Sequence, residues 1–379
     1  MQYKTPLLLA LASVASAQTP SLTDALGSQN SSLSSLSALI ASDSSFADAL
    51  NNLHNITILA PSNDALNALN DSTSLLTNPG YLQALLSYHV LNGTHLDSSF
   101  GNDSVFIRTQ LTNSTYTNVT GGQVVEARLN DNNVTFFSAL KENASVITPN
   151  INFTGGTIHI IDNLLVIPQN VTETLSNANL TAAEGAINAA NLTDSLANTH
   201  DITIFAPNND AFDAIGNLVA NFSSDQLTSV IGYHVINGSV AYSSQLSNTS
   251  VQAVNGQNLT ITVIDGTVYV NSAKVTVPDI LIENGVVHVI DGVLNPDNAS
   301  ATPDTTATTT APAFSGASTG TDGVPFTSGV TTPTTTFPAA TSAGGSETTS
   351  SSEGAAVPKQ TGAIGAAALF GGAVIFANL

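Results

Sequence analysis

The amino-acid sequence predicts an α+β fold that occurs twice in tandem, in residues 19–168 and again in residues 169–297. Within each copy helical patterns come first and strand patterns follow, an order typical of α+β domains rather than of alternating βαβ units. The duplication is predicted by three passages that recur in one order, at a spacing suited to a whole domain and too long for a solenoid unit. The passage pairs are ITILAPSNDAL (56–66) with ITIFAPNNDAF (202–212), SYHVLNG (87–93) with GYHVING (232–238), and GGTIHIIDNLL (155–165) with NGVVHVIDGVL (284–294).

Helices are expected at the start of each copy. Apolar residues recur near helical spacing in the first copy, and the second copy repeats this pattern more weakly. The first passage is β-rich and ends at a proline, and the Asn-Asp pair after it suits a helix N-terminus, where Asp64 and Asp210 are expected to cap and to face the helix dipole. The apolar residues are Leu33, Leu36, Leu39, Ile40, Phe46, Leu50 and Leu53, then Leu180, Ile187, Leu192 and Leu196.

Strands are expected in the later part of each copy. In the second copy, Ser223 and Gln226 predict a capping box at the start of another helix. Asp265-Gly266 stands between two apolar runs and predicts a two-residue hairpin, and a further strand is expected over 286–290. The repeat spacing falls by about sixteen residues before the third passage, which predicts extra residues in the first copy around 116–133.

Both ends of the chain carry processing signals. Residues 1–17 contain one lysine, an apolar run and a small-residue site, which predicts a secretory signal peptide. Residues 355–379 end in a small, apolar, uncharged run, which is typical of a propeptide removed when a glycosylphosphatidylinositol (GPI) lipid is attached, here at Gly354. A transmembrane helix is the alternative, but no basic cytoplasmic residue follows the run.

A stalk is expected between the second copy and the anchor. Residues 299–354 are rich in Thr, Ser, Pro, Ala and Gly, and such a composition offers too little apolar surface for a core, so the segment is expected to be disordered and mucin-like. Gly316 to Gly320 spells the G-x-S-x-G of serine hydrolases. That motif needs a strand before it and a helix after it, and the stalk provides neither.

Composition indicates an extracellular glycoprotein. The chain has no cysteine, which excludes thiol nucleophiles and cysteine metal sites, and its formal net charge of −21 leaves no basic groove for nucleic acid. Eighteen Asn-x-Ser/Thr sequons indicate a heavily glycosylated surface. Their asparagines are Asn30, Asn55, Asn70, Asn92, Asn102, Asn113, Asn118, Asn133, Asn143, Asn152, Asn170, Asn179, Asn191, Asn221, Asn237, Asn248, Asn258 and Asn298.

The repeated passages resemble the conserved blocks of the fasciclin (FAS1) family. TILAPSNDAL and TIFAPNNDAF match its first block, Tyr88-His89 and Tyr233-His234 its Tyr-His segment, and IHIIDNLL and VHVIDGVL its last block. The resemblance covers about 270 residues. It implies a β-sandwich-like core with helices packed beside it, and a role in adhesion or matrix contact. Together with the signal peptide, stalk and anchor signal, it implies a fungal-type cell-surface protein.

The histidines of these blocks are interpreted as structural. His159 with Asp162, and His288 with Asp291, are three residues apart in a strand pattern and therefore point to opposite faces, which is poor geometry for a metal or acid–base pair. Tyr88, His89, Tyr233 and His234 lie at the end of an apolar helix face, where a hydrogen-bonded histidine in the core is expected. The resemblance implies a receptor contact for this segment, but packing among apolar neighbours makes a poor surface epitope. No catalytic motif is present, so no enzyme, cofactor or metal is expected.

The resemblance also implies an adhesion contact on the second copy. Asp279 and Ile280 look like the Asp-Ile element proposed for receptor contact in fasciclin domains. The first copy has Asn150 and Ile151 there, and Asn152 begins a sequon whose glycan would cover that surface. The competing interpretation is that Asp279 merely ends a strand beside Pro278.

The expected function is adhesion or matrix interaction at the cell surface, through weak contacts multiplied over many lipid-anchored copies. The expected partners are protein or glycan components of a cell surface or wall, homophilic contact included, and the membrane through the anchor. The alternative is a wall structural or glycan-binding protein that joins no cells. Adhesion predicts exposed apolar patches, whereas glycan binding predicts an aromatic platform, for which a chain without tryptophan offers little.

Overall fold

The computed structural model describes most of the chain after the predicted signal peptide. The described ranges are 19–68, 78–219, 221–307, 309–321 and 323–330. The predicted signal peptide, the sequon at Asn70, the predicted anchor site Gly354 and the propeptide 355–379 lie outside them. Within these ranges, no helix has both the length and the apolar character needed to cross a bilayer.

The first domain begins with helices and ends with strands, as the pattern predicts. Ser21 caps the first helix with its side chain, and Asn78 caps the helix before β2. The helices are α1 (Leu22–Ser28), α2 (Asn30–Ser42), α3 (Ser44–Asn52), α4 (Asn63–Asn67) and α5 (Pro79–Tyr88), and the strands are β1 (Ile56–Pro61), β2 (Val90–Asn92), β3 (Val105–Arg108), β4 (Val124–Asn130), β5 (Asn133–Phe137), β6 (Asn143–Phe153) and β7 (Gly156–Ile161).

The second domain repeats this order of elements. Its last long helix begins at the predicted capping box, in which the Ser223 hydroxyl accepts from the backbone of Gln226 and the Gln226 side chain accepts from the backbone of Ser223. The helices are α6 (Val171–Asn177), α7 (Thr181–Ala189), α8 (Thr193–Ala197), α9 (Asn209–Asp213), α10 (Gly216–Val219) and α11 (Ser224–Tyr233), and the strands are β8 (Ile202–Pro207), β9 (Val235–Ile236), β10 (Thr249–Gln252), β11 (Asn258–Ile264), β12 (Thr267–Val270), β13 (Ala273–Ile282) and β14 (Gly285–Ile290).

The strands of each domain form one sheet with the same topology. Among the described residues each sheet has seven strands, in the order β2-β1-β7-β6-β5-β4-β3 in the first domain and β9-β8-β14-β13-β12-β11-β10 in the second. The first passage pairs in parallel with the last, β1 with β7 and β8 with β14. A Cβ at Gly156 would lie 1.9 Å from the Ile56 carbonyl oxygen, and one at Gly285 would lie 1.9 Å from that of Ile202. This close pairing therefore requires the glycine that both copies have.

The sheet of the first domain curls until its two ends meet. β6 is bulged between Val146 and Ile151, and a bulge sharpens the local bend of a strand. Leu91 at one end of the sheet then forms an antiparallel bridge with Thr109 at the other. One apolar cluster lies inside the curl and a second lies under the helices. This is the sandwich-like core with packed helices that the resemblance implies.

Two local expectations are confirmed and one is corrected. The hairpin between β11 and β12 turns at Asp265 and Gly266, whose φ angles of 49° and 77° are the positive values that this turn needs. The predicted helices after the first passages are present as α4 and α9. Their caps, however, are the side chains of Ser62 and Asn208, while Asp64 and Asp210 lie one residue inside the first turn, near the positive end of the helix dipole.

The extra residues of the first copy lie in two places. The connection from β3 to β4 spans 109–123, against 253–257 between β10 and β11. A second addition, 138–142, lies between β5 and β6. The expected stretch, 116–133, overlaps the first addition only. Most of the other residues of that stretch form β4 and the turn into β5, and the second domain has the same elements as β11 and the turn after it. Both additions contact the second domain.

Within the predicted stalk, the structure describes residues 299–307, 309–321 and 323–330. They contain no strand and no helix beyond the turn at Pro296–Asn298, but they pack on the helices of the second domain. A segment of this composition builds no core of its own, but a few apolar side chains are enough for packing when the groove is already built by another part of the chain. These side chains are Phe314, Ala317, Val324 and Phe326.

Candidate functional site

A buried histidine joins the three repeated passages in each domain. His234, at the C-terminus of α11, donates through Nδ1 to the Val230 carbonyl at 2.7 Å and accepts through Nε2 from the Leu294 N–H at 2.9 Å. Its own carbonyl accepts from the Phe205 N–H at 2.9 Å. The Tyr-His passage is thereby bonded to the first passage through Phe205 and to the last through Leu294.

His89 makes the same three bonds in the first domain. Its Nδ1 donates to the Leu85 carbonyl at 2.8 Å, its Nε2 accepts from the Leu165 N–H at 2.9 Å, and its carbonyl accepts from the Leu59 N–H at 2.9 Å. Both histidines are 3% exposed. Burial lowers the pKa of His89 and of His234 to about 4, so both are neutral near pH 7.

The tyrosine before each histidine is also committed to main-chain contacts. The Tyr88 hydroxyl donates to the Val124 carbonyl at 2.9 Å, and the Tyr233 hydroxyl donates to the Asn258 carbonyl at 2.8 Å. Both rings are fully buried. The Tyr-His pair therefore holds the last helix of each domain against the sheet, and neither side chain is available to a receptor.

A second histidine in each domain holds the bulge of the long strand. His288 accepts through Nδ1 from the Asp279 N–H at 3.2 Å and donates through Nε2 to the Ala241 carbonyl at 2.8 Å. His159 does the same with the Asn150 N–H at 3.2 Å and the His95 carbonyl at 2.8 Å. Burial lowers the pKa of His159 and of His288, and the nearby Asp279 carboxylate opposes this for His288.

The side chain that completes each bulge differs between the domains. Asp279 accepts from the Ser243 N–H at 2.7 Å and from the Ser243 hydroxyl. At the equivalent position, Asn150 accepts from the Asp97 N–H at 3.1 Å and donates to the Asp97 carboxylate at 2.7 Å. The carboxylate thus belongs to the strand in one domain and to the loop in the other.

The predicted adhesion contact at Asp279 and Ile280 is corrected by their burial. Each is only 1% exposed. Asp279 has a φ of 62°, and this left-handed conformation turns its carboxylate inward to Ser243. Ile280 packs in the core under the helices. The first-domain counterparts Asn150 and Ile151 are half-buried and therefore more exposed than Asp279 and Ile280. These exposures do not favour an adhesion contact on the second domain alone.

Catalytic geometry is not assembled at these positions. Asp162 accepts from the Ser145 N–H at 2.7 Å and Asp291 from the Lys274 N–H at 2.8 Å, away from the histidines three residues before them. Over the described ranges, no group of three His, Cys, Asp or Glu side chains is placed to hold a metal ion. Chemically, the histidines serve as fixed neutral donor–acceptor pairs for the main chain.

The contact between the two domains was not expected from the sequence. Gln123 is fully buried and donates through Nε2 to the Ile282 carbonyl at 3.0 Å. Beside it the Asn118 N–H donates to the Glu283 carbonyl at 2.8 Å, and the Thr120 N–H donates to the Asp201 carboxylate at 2.7 Å. The donors all lie in the first addition of copy one, so the length difference between the copies was the available signal.

Apolar side chains complete this domain contact. The rings of Phe106 and Tyr242 are stacked with centroids 4.1 Å apart, over a cluster that includes Val124, Leu281 and Val286. Leu140, in the second addition, packs against the helical core of the second domain. Burial raises the pKa of Tyr242 well above its ordinary value. The two domains therefore share one continuous interface.

The sequon asparagines lie mostly at the surface. Asn152 is exposed, although Phe153 beside it is buried in the first domain. Asn118, Asn170, Asn179 and Asn298 are half-buried, and the side chain of Asn170 caps α6. The remaining sequon asparagines of the described ranges are exposed.

These features define a duplicated α+β module in which the motif residues are buried and hydrogen-bonded to the main chain. The fasciclin domain model matches residues 31–168 and 178–296. The chain belongs to the fasciclin family, which is non-enzymatic, and carries two tandem fasciclin domains.

Named relatives extend from fungi to animals. A fasciclin-like arabinogalactan protein of Arthroderma benhamiae is 36% identical over 298 residues, 77% of this chain and 70% of that protein. One from Phaeosphaeria nodorum is 32% identical over 257 residues, 67% of this chain and 82% of that protein. Human periostin is 28% identical over 162 residues, 41% of this chain and 19% of periostin. The solved FAS1 domain pair of the insect cell adhesion molecule Fasciclin I matches with a TM-score of 0.35 and 22% identity, over 70% of this chain and 98% of that one.

Proposed function

We propose that this chain is an extracellular adhesion or matrix-interaction protein, held at the cell surface by a GPI lipid. Membership of the fasciclin family and similarity to fungal fasciclin-like arabinogalactan proteins and to periostin support this proposal. The predicted signal peptide and anchor signal support the location. Each contact is weak, and many anchored copies facing one another multiply its effect.

The observation that carries the proposal is the kind of apolar side chain left at the surface. In the described part of the chain the large hydrophobic residues that are exposed are all aliphatic, and none is an aromatic ring that would stack on a sugar. Aliphatic surface favours a protein partner over a glycan. The exposed large hydrophobic residues are Leu96 at 42%, Val105 at 44%, Ile147 at 53% and Val254 at 55% exposed.

Two of these residues lie next in the chain to residues that line one cavity on the first domain. Asp97 and Val146 line a cavity of about 140 Å³, and Leu96 and Ile147 are their neighbours in the chain. Pro149 and Leu129 add apolar surface to the lining. We assign the adhesive contact to the exposed aliphatic side chains of Leu96 and Ile147.

Cell aggregation tests this proposal with the full anchored chain on the surface. Leu96→Asp with Ile147→Asp is expected to abolish aggregation, because a charge at these positions opposes their burial against a protein partner. Val254→Asp, on the second domain, is the matched control and is expected to leave aggregation unchanged. Aggregation that survives the double change contradicts the assignment. Binding of isolated wall glycan by a chain that never aggregates cells favours the wall-binding alternative.

A further inference from the structure

The C-terminal strap, which we define as residues 313–321 and 323–327, lies in a groove on the helical side of the second domain. Phe326 meets the ring of Phe212 edge-on at 6.1 Å, and Phe314 lies 5.8 Å from the ring of Phe222. Ala317 and Val324 pack on the same core. The strap is therefore held by apolar anchors near both of its ends.

The groove is shaped for a main chain. Gly185 lies inside α7, and a Cβ there would be 1.8 Å from the Phe326 carbonyl oxygen. A Cβ at Gly216 would be 2.6 Å from the Gly320 nitrogen. Glycine within a helix costs about 1 kcal/mol relative to alanine, so its presence in α7 needs a reason, and the approach of the strap supplies one.

The first domain has an alanine where α7 has this glycine. Ser35 of α2 and Ala182 of α7 donate the same hydrogen bond, to Asn63 and Asn209 respectively, which aligns the two helices. Three residues further on, Ala38 corresponds to Gly185 and is exposed. The main-chain groove is thus a property of the second domain.

One residue of the groove, Asn217, forms hydrogen bonds with the main chain of the strap. The Asn217 N–H donates to the Ser318 carbonyl at 3.2 Å, its Oδ1 accepts from the Ser318 N–H at 2.8 Å, and its Nδ2 donates to the Gly316 carbonyl at 3.0 Å. These bonds do not depend on the side chains of the strap. A segment meets the same requirements if it turns as the strap does at Gly316 and Phe326, where φ is 76° and 62°, and has small residues at 316–320 with an aromatic anchor on each side.

We propose that this groove is a peptide-docking site, filled by the chain's own strap and open to exchange with the strap of a second copy. The described residues of the strap contain no helix or strand. Their apolar anchors, and the bonds of Gly316 and Ser318 to Asn217, go to the second domain. A second copy's strap would make the same contacts, so exchange costs little beyond bringing two chains together, and anchored copies are already concentrated on one surface. This inference rests on the proposed function, in which copies are anchored on one surface, and adds a contact between those copies that is separate from the adhesive contact assigned to Leu96 and Ile147.

Disulfide trapping tests the exchange in a chain that has no cysteine of its own. Asn217 and Ser318 are both exposed and hydrogen-bonded to each other. In the soluble secreted chain, the double variant Asn217→Cys with Ser318→Cys is expected to close within one molecule, because it loses the Asn217 side-chain bonds but keeps the Phe314 and Phe326 anchors. An oxidised mixture of the two single variants is expected to give a mixed dimer, and the yield of this dimer is expected to rise with protein concentration. A mass tag on one variant distinguishes the mixed dimer from either homodimer.

A blocked groove is the matched control. Adding Gly185→Val to the Asn217→Cys partner is expected to reduce the mixed dimer at least tenfold, a change of about 1.4 kcal/mol, while circular dichroism verifies that the variant is folded. Ala38→Val, at the equivalent position of the first domain, is expected to change nothing. A double variant that fails to close overturns the docking, and closure without any mixed dimer overturns the exchange. The assay uses no cells, so it fails or succeeds independently of aggregation.

Discussion

The backbone N–H of Asp279 donates to Nδ1 of His288 across 3.2 Å, inside a bulge of β13. Asn150 and His159 repeat the bond in the first domain. The backbone pairing is the same in both copies, whereas the carboxylate lies on the strand in the second domain and on the loop residue Asp97 in the first. The backbone arrangement, and not the charge, is the common element.

Exchanging the acid between strand and loop should therefore be tolerated. Asp279→Asn is expected to lower the free energy of unfolding by about 1–3 kcal/mol, because a buried hydrogen bond is lost. Adding Ser243→Asp recreates the Asp97–Asn150 pair and is expected to recover stability, with a coupling of about 0.5–3 kcal/mol in a double-mutant cycle measured by urea unfolding. Strictly additive effects would mean that the two positions do not form one unit.

His234, which joins the three repeated passages of the second domain, is expected to stabilise that domain. His234→Ala leaves the Leu294 N–H and the Val230 carbonyl without their partner, at a cost of about 1–3 kcal/mol. The matched control is His54→Ala, which removes an exposed histidine and is expected to leave the urea midpoint unchanged. An unaltered midpoint for His234→Ala, combined with lost cell attachment, would indicate a contact role instead.

Acid is expected to destabilise both domains through these histidines. The pKa of His89 and of His234 is about 4 in the folded chain and 6.5 ordinarily. Above pH 6.5 their contribution is fully present. As the pH falls from 6.5 to 4 the unfolded chain binds protons that the folded chain does not, so stability falls, by about 3 kcal/mol per histidine.

Unfolding free energies at pH 7 and pH 4 measure this effect, and the His234→Gln variant isolates it. The variant lacks the titrating group, so its stability is expected to change less between the two pH values than that of the natural chain. An equal pH dependence in both proteins would assign the acid sensitivity to the carboxylates.

The domain contact is expected to make the two domains unfold together. Gln123→Ala leaves the Ile282 carbonyl without its buried partner and is expected to split a single calorimetric transition into two. Gln252→Ala, at an exposed position in β10 of the second domain, is the control and is expected to preserve one transition. Two transitions already present in the natural chain would show that the interface does not couple the domains.

The lipid anchor is tested by enzymatic release. Phosphatidylinositol-specific phospholipase is expected to free the chain from membranes, because the predicted attachment at Gly354 leaves no polypeptide in the bilayer. Mass spectrometry of the C-terminal peptide identifies the site. A membrane-retained chain with residues 355–379 still attached would contradict the proposal.

The sequence predicted those features that depend on neighbouring residues. The Ser223 capping box and the Asp265-Gly266 turn are set by local chemistry, and the duplication by direct comparison. Asp279 was misplaced because its burial depends on Ser243, which lies 36 residues earlier in the chain and reaches it only through the fold. The docking of the strap was missed because composition averages over a whole segment. The docking itself depends on a few apolar anchors and on a single glycine in a helix, Gly185, which gives the strap room.

The strap also determines how the molecule responds to a mechanical load. A pull applied beyond residue 330 reaches Phe326 first, then the bonds of Ser318 to Asn217, then Phe314, and only afterwards the strands of the second domain. Contacts loaded one after another open at lower force than contacts loaded together. Under tension the strap would detach from its groove and lengthen the connection to the anchor, while both fasciclin domains stay folded. It would thereby limit the force that reaches the two domains.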